Sequence, residues 1–219
     1  METEIDLLKG VASGADESAA GTVRVNSIPL IVSRMLMPGL KTLYAAHPKL
    51  CIEAIAEPRN ISLSRRDADV ALRMARPERE DKVIARRIGK LSFAVYGPTR
   101  QRARRAPWIT YETSMGALPH VAWINKAIKL DQDTPPSLVV NDSEVALYAI
   151  KAGVGKSLLP CAIGDRESGL IRLSGQTPIL DRELWLLVLP ELRNLARIKA
   201  VIEWLAELVL RFTTSSDSI

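Results

Sequence analysis

The residues able to do chemistry are few and scattered. The chain has two histidines, His47 and His120, and two cysteines, Cys51 and Cys161. A zinc site needs such groups clustered at ligand spacing. Neither histidine lies within a few residues of a cysteine, so no metal site is expected. Nucleophilic hydrolysis needs an activated serine or cysteine beside a base. The G-x-S-x-G elbow is absent, and His120 serving a distant serine is the only arrangement left open. Gly153-Val154-Gly155-Lys156-Ser157 resembles a phosphate loop, but Ile150 stands where that loop needs its first glycine. The segment also follows a helical pattern and opens a strand, the reverse of a phosphate loop. It is expected to be a helix C-cap and tight turn. Asp67 and Asp69 flank a turn and Asp142 suits a cap, so no carboxylate pair is assembled for acid–base work. The chain is therefore expected not to be an enzyme and to carry no cofactor.

Polar groups at strand ends point instead to binding. In open α/β sheets, ligands sit beyond the carboxyl ends of the strands. Asn26-Ser27-Ile28 ends one strand just before Pro29, where a helix N-terminus favours anions. Pro58-Arg59-Asn60 ends a second. Arg73 ends a third, and an arginine there can grip a carboxylate with two parallel hydrogen bonds. Thr110 and Asn141-Asp142-Ser143 occupy equivalent places farther on. Each has a plainer role: Ser27 as a helix cap, Arg73 as partner to a structural acid, Asn141 and Ser143 as caps. Convergence of several such ends favours the joint binding reading.

The elements that would position these groups alternate. Residues 22–28, 50–56, 69–74, 83–88 and 91–96 read as strands, with helical spacing over 29–44, interrupted at Pro38-Gly39, and a short turn over 61–67. This β-α-β-α-β-β order predicts a mainly parallel sheet faced by helices. Residues 97–107 are polar and basic and suit a crossing between lobes. Farther on come strands at 108–111, 137–140, 157–159, 170–173 and 184–189, and helices at 118–130 and 144–151. Ile198, Val201, Ile202, Leu205, Leu208, Val209 and Phe212 form one apolar stripe on a final helix.

Composition bounds the setting. At 219 residues and 47% hydrophobic, the chain can bury a core of one large or two small domains. No apolar run approaches the roughly 20 residues of a membrane span. Two cysteines fit a reducing compartment, and the acidic start lacks a signal peptide's basic and apolar regions, so a cytoplasmic protein without membrane contact is expected. Residues 1–20 sum to −4, against +5 for the whole chain. Between Asp81 and Glu112 lie eight bases and no acid, with no aromatic platform interleaved for nucleic-acid stacking.

In order and spacing, the sequence resembles the effector-binding domain of LysR-type transcriptional regulators over about residues 21–212. The resemblance opens with Gly21-Thr22-Val23-Arg24-Val25. It continues through Met37-Pro38-Gly39-Leu40 with Tyr44 and His47-Pro48. Its most specific stretch is Ser64-Arg65-Arg66-Asp67-Ala68-Asp69-Val70-Ala71-Leu72-Arg73. Residues 91–97, Ala152-Gly153-Val154-Gly155 with Leu158-Leu159-Pro160, Gly169-Leu170 with Arg172-Leu173, and 184–190 with Arg193 follow in family order. This implies an α/β, type 2 periplasmic-binding-protein-like fold of two Rossmann-like lobes with a ligand cleft between them. Lobe I would combine 21–97 with 185–212, and lobe II would be 98–184. Residues 1–20 would be the end of a linker helix and a linker, and 213–219 a flexible tail. The implied ligand-binding residues are Ser27, Ile28 and Asn60, with Arg73 as a weaker carry-over; lobe-II contacts vary within the family, and Thr110 and Asn141 are named there from their places alone. The implied partners are a small, anionic effector and a second copy of the domain, with a tetramer open for the full-length protein. DNA would be read only through an N-terminal winged helix-turn-helix, of which residues 1–12 could hold only the end of its dimerising helix. An extracytoplasmic solute-binding protein of the same fold is the alternative.

Overall fold

Three short parallel strands begin the architecture. The computed structural model describes residues 19–57, 67–76, 83–99, 103–130 and 135–214. Strand β1 (Gly21–Ser27) runs parallel to β2 (Leu50–Ala56), pairing Gly21 with Leu50 through Ser27 with Ala56. On its other side it runs parallel to β3 (Val70–Arg73). Val23, Val25, Val70 and Ala71 are wholly buried, as strands covered on both faces require. Asp69 fixes where β3 starts. Its carboxylate accepts the Arg24 backbone N–H at 2.8 Å, and its own N–H donates to the Arg24 carbonyl at 2.9 Å.

Between β1 and β2 lies one helical rod, α1 (29–46). It is built from Pro29–Ile31, a π-helical stretch Val32–Leu36, and Met37–Ala46. The sequence predicts an interruption at Pro38-Gly39, but the rod passes through it. Pro38 cannot donate to the carbonyl four residues back and would crowd it. The wide π turn just before it absorbs that conflict, with the Met37 N–H bonding back to the Val32 carbonyl. Gly39 has a packing reason. A Cβ there would lie 2.8 Å from Leu208 Cδ1, and the Gly39 carbonyl accepts the Trp204 indole N–H at 3.1 Å. The partner of this contact is the last helix, α5 (Ala196–Thr214), whose stripe of Val201, Leu205 and Val209 is fully buried. That helix runs on through Thr214, past the expected start of a tail at 213.

A pair of long strands joins the two halves. Strand β4 (Ile84–Pro98) and strand β9 (Leu180–Val188) run antiparallel, with a bulge between Arg87 and Gly89. The sequence suggests two strands with a break near Gly89. The bulge keeps β4 continuous there, and glycine suits such a kink. β9 also pairs with β3, and the far end of β4 pairs with β7 (Ser157–Pro160) and β8 (Leu170–Arg172). The main sheet therefore has the order β2-β1-β3-β9-β4-β7, with β8 also on β4. Strand β4 takes part in both strand groups, pairing with β9 over 84–93 and with β7 and β8 over 93–98.

The second group is smaller. Strands β5 (Ile109–Tyr111) and β6 (Leu138–Val140) pair in parallel, and a bridge from Trp108 to Lys156 places them beside β7. Helix α2 (Pro119–Leu130) packs on β5 and β7, and α3 (Ser143–Lys151) follows β6. Asp142 caps α3 by accepting the Glu144 and Val145 N–H groups at 2.8 and 3.3 Å. A short turn of helix, α4 (Cys161–Gly164), leads from β7 toward β8.

Candidate functional site

The carboxyl ends of β1 and β3 lie side by side, as the parallel register demands. Asn26 and Ser27 are buried there. Ser27 does not cap α1. The cap residue is Ile28, with extended backbone and no side-chain bond, and the Ser27 hydroxyl donates to the Leu72 carbonyl at 3.2 Å. Ile28 closes the first turn, its carbonyl accepting the Ile31 and Val32 N–H groups. Arg73 is held by an amide. Its Nη1 donates to Asn26 Oδ1, while the Asn26 amide N–H donates to the Ile55 carbonyl at 3.0 Å. Asn26 thus ties the ends of β1, β2 and β3 together. Asn60 lies outside the described residues.

The second group has polar residues of its own. Thr110 is buried and donates to Asn125 Oδ1 on α2 at 3.0 Å. Asn141 is exposed, directly before the Asp142 cap. Tyr111 donates its hydroxyl proton to Ser143 Oγ at 3.0 Å, and burial pushes its phenol up to about 12, so it stays protonated. Structure therefore brings Ser27, Ile28 and Arg73 to one edge, while Thr110 lies in the middle of β5 and Asn141 directly follows β6.

Between these groups lies a pair that sequence reading missed as a unit. His120, in the first turn of α2, is 2% exposed. Its ring stacks on Phe93 at 5.6 Å between centroids and meets the Tyr111 ring edge-on at 5.3 Å. Burial first, and then the charge of Arg182, pulls His120 down to about 3, so it is neutral. Arg182 Nη1 stands 3.3 Å from His120 Nδ1, and Nη2 donates to the Met74 carbonyl at 2.8 Å. Met74 directly follows Arg73, so Arg182 joins the end of β3 to the first turn of α2. The signal was present in the strand: Arg182, Leu184 and Leu186 share one inward face of β9.

Residues 16–209, most of the chain, match the family model for the LysR substrate binding domain. The chain belongs to that family. This LysR-family domain is also 25% identical over 201 residues to the Mau operon transcriptional activator of Paracoccus denitrificans, covering 90% of this chain and 68% of that protein. The effector domain of the transcriptional regulator AmpR of Pseudomonas aeruginosa shares its fold at a TM-score of 0.68 and 17% identity, over 87% of this chain and 96% of that one. CrgA, a LysR-type transcriptional regulator from Neisseria meningitidis, matches at a TM-score of 0.70 and 17% identity, over 95% of this chain and 74% of that one. The fold is thus the α/β, type 2 periplasmic-binding-protein-like architecture implied by the resemblance. These relatives are regulators of transcription, and they do not favour an extracytoplasmic solute-binding protein.

Two further features shape the LysR-family domain. Its Gly153 takes φ +80° and ends α3, whose last turn bonds to the Gly153 and Val154 N–H groups. Lys156 reaches the Arg104 carbonyl at 2.8 Å and lies over the Trp108 ring at 4.7 Å, so the phosphate-loop look-alike is a helix stop. The second feature is an ion-pair network between α1 and α3. Arg34, within the π turn, donates from Nε and Nη2 to Glu144 Oε1 at 3.0 and 2.7 Å, and from Nη1 to Glu167 at 2.9 Å. Lys151 adds a bond to Glu167 at 2.7 Å, and the Tyr148 ring lies under the Arg34 guanidinium at 5.1 Å. No helix among the described residues is long and apolar enough to cross a membrane, and no group of three or more metal-binding side chains occurs among them.

Proposed function

We propose that this chain is the sensing part of a LysR-type DNA-binding transcriptional regulator, taking a small anionic effector in the cleft between its lobes. The lobes are 21–97 with 185–212, and 98–184. This reading is supported by polar groups on both sides of the junction that Arg182 spans from Met74, next to Arg73, to His120 of α2: Ser27 and Arg73 on one side, Thr110 and Asn141 on the other. Ser27, Ile28, Asn60 and Arg73 form one wall and Thr110 and Asn141 the other. Helix N-termini and arginine favour a negatively charged ligand. Binding biases the arrangement of the lobes by no more than the ligand's difference in affinity for the two arrangements.

The sensing copies pair as a homodimer. Support comes from surface left uncovered: β2 lies at the sheet edge, Met37 and Tyr44 are exposed on α1, and Val145 and Tyr148 are exposed on α3. DNA is read by a winged helix-turn-helix preceding this domain in the intact protein, which places it in the cytoplasm.

The test is a thermal-shift screen of metabolites, since a ligand that binds only the folded state raises the melting temperature. Hits go to calorimetry on wild type and Arg73→Ala. A loss of about tenfold in affinity supports the assigned wall, and unchanged affinity removes Arg73 from it. Sedimentation at micromolar concentration checks the dimer, and a strict monomer counts against it.

A further inference from the structure

Arg182 is 7% exposed, yet no carboxylate comes within ion-pair distance of it among the described residues. Buried charges are ordinarily paired, because leaving water disfavours the charged form. Burial alone pulls its guanidinium below the ordinary arginine value, with no acid pushing back. Its two protein partners are a backbone carbonyl and a neutral imidazole, so neither cancels the charge. His120 Nδ1 accepts from Arg182, which leaves the ring proton on Nε2. The surroundings add to the positive potential. His120 is the second residue of α2, a 12-residue helix whose N-terminal end carries partial positive charge. The Nε–H of Arg182 has no protein acceptor among the described residues, and its two bonds there both run from the Nη groups.

We infer that Arg182 and the first turn of α2 form an anion seat at the junction of the two strand groups. It accepts the carboxylate, or an oxyanion of similar size, of a small molecule through the Nε–H and an Nη–H of Arg182. This rests on the cleft reading above and names the ligand group and the residue that neutralises it. The seat is built for one charge. Arg73, a few residues away in the fold, already has its Nη1 on Asn26, whereas Arg182 has no counter-charge to give up.

Histidine NMR tests this locally, because the chain has only two histidines. Sodium acetate and sodium benzoate are titrated against sodium chloride at constant ionic strength. His120 ring signals are expected to shift saturably while those of His47 stay in place. In Arg182→Met the shift is lost, and in Arg182→Lys, which keeps charge but not the planar fork, binding weakens about tenfold. Arg87→Met, a change at an exposed arginine on β4, leaves the response intact. Absence of any His120 shift in wild type, or an equal shift in Arg182→Met, overturns the inference. If Arg182→Met does not melt cooperatively, the lysine variant decides. The two readings fail separately. A metabolite that stabilises Arg182→Met as much as wild type keeps the cleft and removes Arg182. A carboxylate shift at His120 with no metabolite response in the Arg73 wall keeps Arg182 and removes the cleft assignment.

Discussion

Two arginines sit where the strand groups meet, and they are held in opposite ways. Arg34 spans from α1 to two carboxylates on the other group, and its side chain is 21% exposed. Arg182 lies deeper and has a carbonyl and an imidazole. The first is electrically complete, so it stabilises the arrangement seen here. The second is incomplete, so it costs stability until an anion arrives. The rim of the junction is therefore a fastening and its floor a receptor. Bond counts alone miss this distinction, because charge compensation separates the two.

The comparison breaks first at the rim. Glu144→Ala leaves Arg34 with one acid and is expected to cost about 2–3 kcal/mol in urea unfolding. A cost near zero would make the pair a solvated surface contact. Next comes pH. His120 titrates at about 3 in the folded chain against an ordinary 6.5. The unfolded chain takes the proton first, so stability is full above 6.5 and falls as pH drops toward 3. At pH 5 the loss is about 2 kcal/mol relative to pH 7. Comparing wild type with His120→Gln isolates that slope, which flattens in the variant. At the floor, Arg182→Met without anion is expected to be neutral or stabilising by about 1 kcal/mol, the opposite sign to the rim. A clear destabilisation would mean that Arg182 is structural. The smallest effect is Asp142→Ala, about 1 kcal/mol from the lost cap of α3, which shifts rim and floor equally.

Much of the frame was legible because it rests on local rules. Short apolar runs marked the buried strands, the stripe from Ile198 to Phe212 marked α5, and Gly153 marked a helix stop. The main sheet, however, is not mainly parallel as the β-α order predicts. Four of its six pairings among the described residues are antiparallel, because β4 and β9 run against their neighbours. Pro38 was misread as an interruption because a π turn leaves no trace in hydrophobic spacing. The two halves of β4 were read apart because Gly89 suits a break as well as a bulge. The strand ends at Ser27 and Arg73 were found from their position after apolar runs, whereas Thr110 sits mid-strand in β5. Asn26 was passed over as a tether, and Arg182 with His120 was missed as a pair. Those roles depend on partners 47 and 62 residues away, which no spacing rule reaches. Arg182 alone had a local sign, a charge on the apolar phase of a strand.

The π turn at Val32–Leu36 has a geometric consequence. An α-helix advances its facing by roughly 100° for each residue. One residue more in a single turn therefore resets the angular phase of everything before it against everything after it. Arg34 and Gly39 are read out on two phases of one rod, the first toward α3 and the second pressed against Leu208 of α5. Deleting one residue from the wide turn would restore a uniform screw. The rod could then address either neighbour, but not both.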